Sequence, residues 1–282
     1  MTQTLIVGGL TIDRFADGSV APGGSVLHAG LAARAEGARL TTLTVAGHEP
    51  AALDGLVRLD ELGRLAHQRA PVTTAYRHEE RDGRRVLVLE ACAAPIAPDG
   101  LGVLDRPDVA LVAPIANEVS PLLVDALRAQ LRPRWLVLLI QGWLRRLVEG
   151  EEVLALALDA LSNDQVRAIA GADAIVVSTE DLVESPEDPF AQAAELRRRA
   201  GSKPIIVVTL GTEGYLLDDP GQDRVVASVP RRVVTGVSAN GAGDTFGAGL
   251  AVNLARGVPP SAAADLATDR VINVLEGRRD PA

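Results

Sequence analysis

Short runs of Val, Ile and Leu recur along the chain, each followed by an Ala-, Leu- and Arg-rich stretch whose apolar positions repeat with helical period. Continuous apolar runs suit strands buried on both faces, and their alternation with helices is the pattern of a parallel sheet covered by helices. The pattern predicts strands at Thr4 to Gly8, Val109 to Ala113, Leu136 to Ile140, Ala174 to Ser178 and Ile205 to Leu210. It predicts helices at Leu27 to Glu36, Pro121 to Gln130, Asn163 to Ala170 and Pro189 to Ala200, with Ser120 and Ser162 or Asn163 suited to N-capping. The fold class is α/β.

One segment breaks this rhythm. Val72 to Ala91 has strand-type residues on both sides of Asp82-Gly83, a pair that favours a tight hairpin turn, and Thr11 to Val20 repeats the signal around Asp17-Gly18. Both pieces are too polar for the centre of a parallel sheet, so they are placed together as a small sheet beside the main body. That sheet is either a lid over a cleft or a surface flap and dimer contact. With no internal repeat or low-complexity linker, residues 1–282 read as one domain with lid strands drawn from about 11–20 and 72–91.

Composition narrows the function. Of 282 residues, 47% are hydrophobic, enough for a large core, while only 2% are aromatic, which leaves few stacking platforms for single-stranded nucleic acid. A net charge of −9 repels polyanions, so a phosphate group must be held by local backbone donors or a few arginines; Lys203 is the single lysine. The lone Cys92 excludes an intrachain disulfide, and the first residues lack signal-peptide character, so a cytoplasmic location is expected. The densest apolar stretch, around Trp135 to Ile140, is far short of the roughly 20 residues a membrane span needs. Neither a nucleic acid nor a membrane is an expected partner.

The most informative segment is Gly236-Val-Ser-Ala-Asn240-Gly241-Ala242-Gly243-Asp244-Thr-Phe246, which leads into a helical stretch from Gly247 to Ala255. Glycines just before a helix let backbone N–H groups converge on an anion at the positive helix end. A carboxylate beside such an anion hole can take the proton of an attacking hydroxyl while the hole steadies a transferring phosphoryl group. Asp244 fits that role, although the same glycines would also serve a plain tight loop whose Asp favours the helix start.

Gly-Ala-Gly-Asp followed by Thr-Phe resembles the C-terminal signature of the ribokinase-like (PfkB) sugar kinase family. Gly23-Gly24 resembles its N-terminal diglycine, which approaches the substrate hydroxyls, and Asp13 stands where the family often carries a substrate-binding Asp. Ala46-Gly47-His48-Glu49 resembles its turn after the second strand, and Thr209-Leu-Gly211-Thr-Glu-Gly214 its nucleotide-side turn. The order and spacing agree from residue 4 to about residue 276. The resemblance implies a three-layer α/β/α fold with a mostly parallel central sheet and a small β lid. It also implies ATP flanked by Thr209, Gly211, Gly214 and Asn240, and Mg²⁺ bridging the phosphates.

Several positions depart from the family pattern. Ser238 and Ala239 replace an Asp-Thr pair associated with a monovalent cation. Ser178-Thr-Glu180-Asp181 replaces an Asn-x-x-Glu motif, so Glu180 or Asp181 is either the metal-side carboxylate or part of an acidic helix start. His28 stands near the place of a common Asn and is either a substrate contact or a half-buried helix residue. Gln141-Gly-Trp143-Leu-Arg145 follows a strand where ligands of open sheets collect, and it resembles the branch that includes myo-inositol kinases. Either its Gln and Arg read substrate hydroxyls or a phosphate, or Trp143 only plugs the core edge and Arg145-Arg146 is only a solvated charge pair.

The expected activity is therefore phosphoryl transfer from ATP to a hydroxyl of a small sugar or polyol, an inositol among the candidates. Asp244 is the base and Gly241 to Asp244 the anion hole. Asp13, Gly23, Gly24, His28, Gln141 and Arg145 face the substrate, and a homodimer through the lid strands is a further expectation. The alternatives are a nucleoside kinase and a catalytically weak member of the same fold that senses a nucleotide or metabolite.

Overall fold

The computed structural model describes residues 1–182, 188–222 and 225–277. In chain order the main sheet and its helices begin with β1 (Gln3–Gly8), then the lid strands β2 (Thr11–Arg14) and β3 (Val20–Gly23). Next come α1 (Ser25–Ala35), β4 (Arg39–Ala46), α2 (Pro50–Leu62), β5 (Arg64–Arg69), and the hairpin β6 (Thr74–Arg81) and β7 (Arg84–Ala91). The chain continues with β8 (Val109–Ala113), α3 (Pro121–Gln130), β9 (Trp135–Leu139), the short pair β10 (Arg145–Arg146) and β11 (Leu154–Ala155), and α4 (Asn163–Gly171). It closes with β12 (Ala174–Ser178), α5 (Pro189–Ala200), β13 (Ile205–Thr209), β14 (Tyr215–Asp218), β15 (Val226–Ser228), α6 (Ala242–Ala255) and α7 (Pro260–Leu275).

Nine strands form the main sheet in the order β15-β14-β13-β12-β9-β8-β1-β4-β5. From β5 to β13 every pairing is parallel, and β14 and β15 then run antiparallel at one edge. The apolar runs read from the sequence are the inner strands, and the period-two rule decides which layer each side chain joins. Leu5 and Val7 of β1 enter the layer with α3, α4 and α5, whereas Ile6 enters the layer with α1, α2, α6 and α7. Helix ends follow local chemistry: Ser120 caps α3 through Leu123 N, and Ser162 with Gln165 forms a reciprocal capping box on α4.

A separate four-stranded sheet has the order β3-β2-β6-β7. Asp82 and Gly83 both have positive φ (54° and 72°), as a two-residue hairpin turn with the strand-matching twist requires. The other hairpin differs from its sequence reading. Its turn is a longer loop closed by Phe15 N–H to Ser19 O and by Asp17 accepting from Ser19, and its second strand begins at Val20 rather than ending there. The outer edge of β7 is paired with residues 150–153, through Leu89 N–H to Glu151 O, Val153 N–H to Leu87 O and the Val88–Glu152 bridge. The small sheet is tied to the main body by Glu49, whose carboxylate accepts from Thr73 N (2.9 Å) and Thr73 Oγ1 (2.7 Å).

The helix at the glycine cluster is longer than its sequence suggested. It starts at Ala242, five residues before Gly247, and Gly247 and Gly249 mark close packing within it: a side chain at Gly247 would meet Leu139, and one at Gly249 would meet Ala267.

Candidate active site

A cleft of about 520 Å³ opens at the C-terminal ends of the parallel strands, beneath the small sheet. Open α/β sheets present their loops and helix starts there. Asp13, Gly24, His28, Gln141, Arg145, Glu180, Asp181, Thr209, Gly211, Gly214, Asn240, Gly241, Ala242, Gly243 and Asp244 all line it. Gly23 stands just behind the lining, where any side chain would run into the Asp13 carboxylate.

Asp244 is the third residue of α6 and is buried. Gly241, the N-cap, is left-handed (φ 76°, ψ 4°) and provides no side-chain cap, so the helix start is left to whatever lies in the cleft. The Ala242 amide already donates to Ala239 O at 3.0 Å, so the amides aimed at an anion are those of Gly243 and Asp244. Sequence reasoning had counted Ala242 among them. Burial raises the Asp244 pKa to about 7; Arg145 opposes this, and the charges of Asp181 and Glu118 add to it. A carboxylate poised near neutrality suits a general base.

Gln141 Nε2 is 3.5 Å from Asp244 Oδ1. The Gln141–Leu144 stretch is a tight turn that sends its residues two ways. Trp143 enters the core with Nε1 donating to Val119 O at 2.9 Å, while Gln141 and Arg145 reach the cleft. Trp143 thus plugs the core edge, and Gln141 and Arg145 stand where a ligand of the cleft would meet them. Arg145 Nη1 donates to Ile115 O at 3.4 Å, and the same carbonyl accepts from Tyr76 OH of β6 at 3.0 Å.

That carbonyl is fixed from below by Glu118, which is fully buried and accepts from the amides of Ile115 and Ala116, both at 2.8 Å. Burial raises the Glu118 pKa, against the amide hydrogen bonds. Glu118 and Tyr76 escaped the sequence reading because nothing local marks them. The one signal available was an acidic residue in an apolar surrounding just after a predicted strand.

On the opposite wall, Asp13 of β2 is buried, with Thr11 Oγ1 at 3.5 Å and His78 Nε2 at 3.3 Å. His78, also missed in the sequence, stacks on Phe15 with ring centroids 4.8 Å apart. His28 rises from α1 against Gly241, and burial lowers its pKa although the Asp13 charge opposes this. Gly24 (φ 95°) lets the chain pass close to Gly9, where a side chain would strike the backbone.

At the other end, Gly211 (φ 58°) and Gly214 (φ 103°) shape the turn between β13 and β14, and Thr268 and Val271 of α7 face them across the cleft. Asp181 turns inward to cap its own turn by accepting from Ser178 N at 3.4 Å, and burial raises its pKa, while Glu180 is exposed at the rim. No group of three or more His, Cys, Asp or Glu side chains able to hold a metal occurs among the described residues. One or two carboxylates suffice for Mg²⁺ when phosphates and waters supply the remaining oxygens, and Glu180 and Asp181 fit that pattern.

Residues 150–269 match the model of the pfkB family carbohydrate kinases. That segment is similar to the pfkB family and contains the helix that bears Asp244. No curated protein matches the sequence. Among solved structures, a pyrophosphate-dependent kinase in the ribokinase family, complexed with a pyrophosphate analog and myo-inositol, superposes with TM-score 0.80 at 18% identity, covering 97% of this chain and 95% of that one. Ribokinase from Thermotoga maritima gives 0.72 at 17% identity, covering 100% and 95%, and fructokinase from Vibrio cholerae O395 gives 0.72 at 19%, covering 99% and 100%. At such identities the likeness establishes the ribokinase-like fold.

Proposed function

We propose that this protein transfers a phosphoryl group to a hydroxyl of a small sugar or polyol, with Asp244 as the base. The observation that carries this reading is a buried carboxylate with its pKa raised to about 7, on the first turn of a helix whose open amides face the same cleft. The acceptor oxygen forms a bond to the terminal phosphorus of the donor, the bond from that phosphorus to the bridging oxygen breaks, and the hydroxyl proton passes to Asp244. The Gly243 and Asp244 amides, with the positive end of α6, steady the charge on the transferring group. Mg²⁺, held near Glu180 or Asp181, would neutralise donor phosphate oxygens.

Asp13, the Gly23-Gly24 backbone and His28 form the acceptor wall, and His78 adds a polar group from the lid. An inositol is one candidate acceptor, because the similar structure that holds myo-inositol shares this fold. ATP is the first-choice donor, since Thr209, Gly211 and Gly214, whose turn resembles the family's nucleotide-side turn, line the same cleft as Asp244. Pyrophosphate is the second, because similar structures include pyrophosphate-dependent kinases. A dimer through the small sheet would use the β3 edge, as the β7 edge is already paired.

The test is product release with Mg-ATP, and separately with Mg-pyrophosphate, across inositols, pentoses, hexoses and nucleosides, with Asp244→Asn beside the wild type. Turnover on one acceptor class that falls by at least ~100-fold in the variant supports the reading. Undiminished turnover in the variant removes Asp244 as base.

A further inference from the structure

A second cavity, also of about 520 Å³, lies where β1, β4 and β5 begin, at the opposite end of the sheet from Asp244. Four arginines, Arg34, Arg39, Arg64 and Arg106, line it with one carboxylate, Asp105. Arg64 is anchored, with Nη1 donating to Asp105 Oδ2 at 3.0 Å and Nη2 to Val103 O at 2.7 Å, and Arg106 Nε donates to Arg132 O at 2.9 Å. Arg34 and Arg39 make no ion pair among the described residues. Thr4, in the lining, has a buried hydroxyl without a hydrogen-bond partner.

Acidic residues outnumber basic ones 37 to 28 over the whole chain, so this gathering runs against the general charge. Like charges converging on one concavity repel each other, and an anion between them reverses the sign of that energy. Guanidinium groups present planar forks of N–H donors that match phosphate oxygens two at a time. A concavity of this size takes a small molecule, and the net charge of −9 disfavours an extended polyanion.

We propose that this arginine-lined cavity binds a small phosphate-bearing anion, separately from the cleft that contains Asp244. Arg34 and Arg39 supply the free guanidinium groups, and Arg64 and Arg106 the fixed ones.

The experiment is isothermal titration with inorganic pyrophosphate at constant ionic strength set with potassium chloride. It compares wild type, the double variant R34A/R39A, and R145A in the other cleft. The wild type and R145A are expected to show a saturable binding phase that R34A/R39A loses or shows at least ten-fold weaker. Both substituted side chains are exposed, so the double variant should melt with the wild type in phosphate-free buffer, which separates lost binding from lost fold. Equal stoichiometry and affinity in wild type and R34A/R39A would overturn the proposal, and so would loss of the phase in R145A alone. The comparison reads binding and not turnover, so it stands apart from the proposed kinase activity.

Discussion

The imidazole of His28 fills the space that a Cβ on Gly241 would need. Gly241 is thus constrained twice, by this ring and by its left-handed backbone (φ 76°). Gly241→Ala must pay roughly 1 kcal/mol for the backbone conformation and also displace the ring. The expected outcome is a lowered melting temperature together with turnover reduced by more than ~10-fold. Gly241→Ala with wild-type melting and rate would show that neither constraint matters.

Gly243, two residues on, provides the contrast. Nothing lies within 4 Å of where its Cβ would stand, and its backbone is helical. Gly243→Ala should stabilise the helix by up to about 1 kcal/mol while placing a methyl group on the turn proposed to hold the transferring phosphoryl. Unfolding in urea should therefore move to higher concentration as kcat falls; a fall in stability would contradict the helical geometry.

Asp244 is expected to set the acidic limb of the rate profile. Turnover should rise with pH through about 7 as the carboxylate loses its proton. Arg145 opposes the burial that raises this pKa, so Arg145→Met should move the limb to higher pH. A limb left in place would mean that the cation does not act on the base.

The same shift bears on stability. The folded pKa of Asp244 lies above the ordinary value of 3.8, so between those two pH values the native state binds more protons than the unfolded one, and stability declines as pH rises through that window. Above pH 7 the buried charge persists as a burden, which Asp244→Asn removes. The variant should melt a few degrees higher than wild type at pH 8, with the difference shrinking toward pH 4. A difference independent of pH would point to some other cause.

Glu118 should be among the costliest positions to change. Its carboxylate satisfies buried amides of Ile115 and Ala116, and Glu118→Leu leaves them without acceptors, at about 2–5 kcal/mol. Equilibrium unfolding in urea measures this directly; a loss below about 1 kcal/mol would show that the loop repairs itself.

Much of the fold was written in local pattern. Val109–Ala113 and Ala174–Ser178 are apolar throughout because both faces of those strands are covered, and Pro121–Gln130 begins at a serine cap. The strand Arg39–Ala46 was harder to see, since three threonines interrupt its apolar run. Two of them are satisfied only by tertiary structure or left buried: Thr44 bonds Gly8 O, and Thr42 has no partner. The helix read from Gly247 onward begins at Ala242, and Leu139 and Ala267 supply the close contacts that leave no room for side chains at Gly247 and Gly249. In the cleft, residues carried by motifs were legible, from Asp13 to Asp244. Tyr76, His78 and Glu118 were not, because their roles arise from partners 39 and 65 positions away or from burial that no nearby residue announces.

The Ile115 carbonyl is shared by Tyr76 of the small sheet and by Arg145 beside the base. An acceptor with two claimants works as a balance. Without the phenol, the guanidinium would be the carbonyl's remaining side-chain donor among the described residues. The small sheet and Asp244 are thus linked through one backbone oxygen, so a change at Tyr76 should be felt in the proton affinity of the carboxylate whose pKa rise Arg145 opposes.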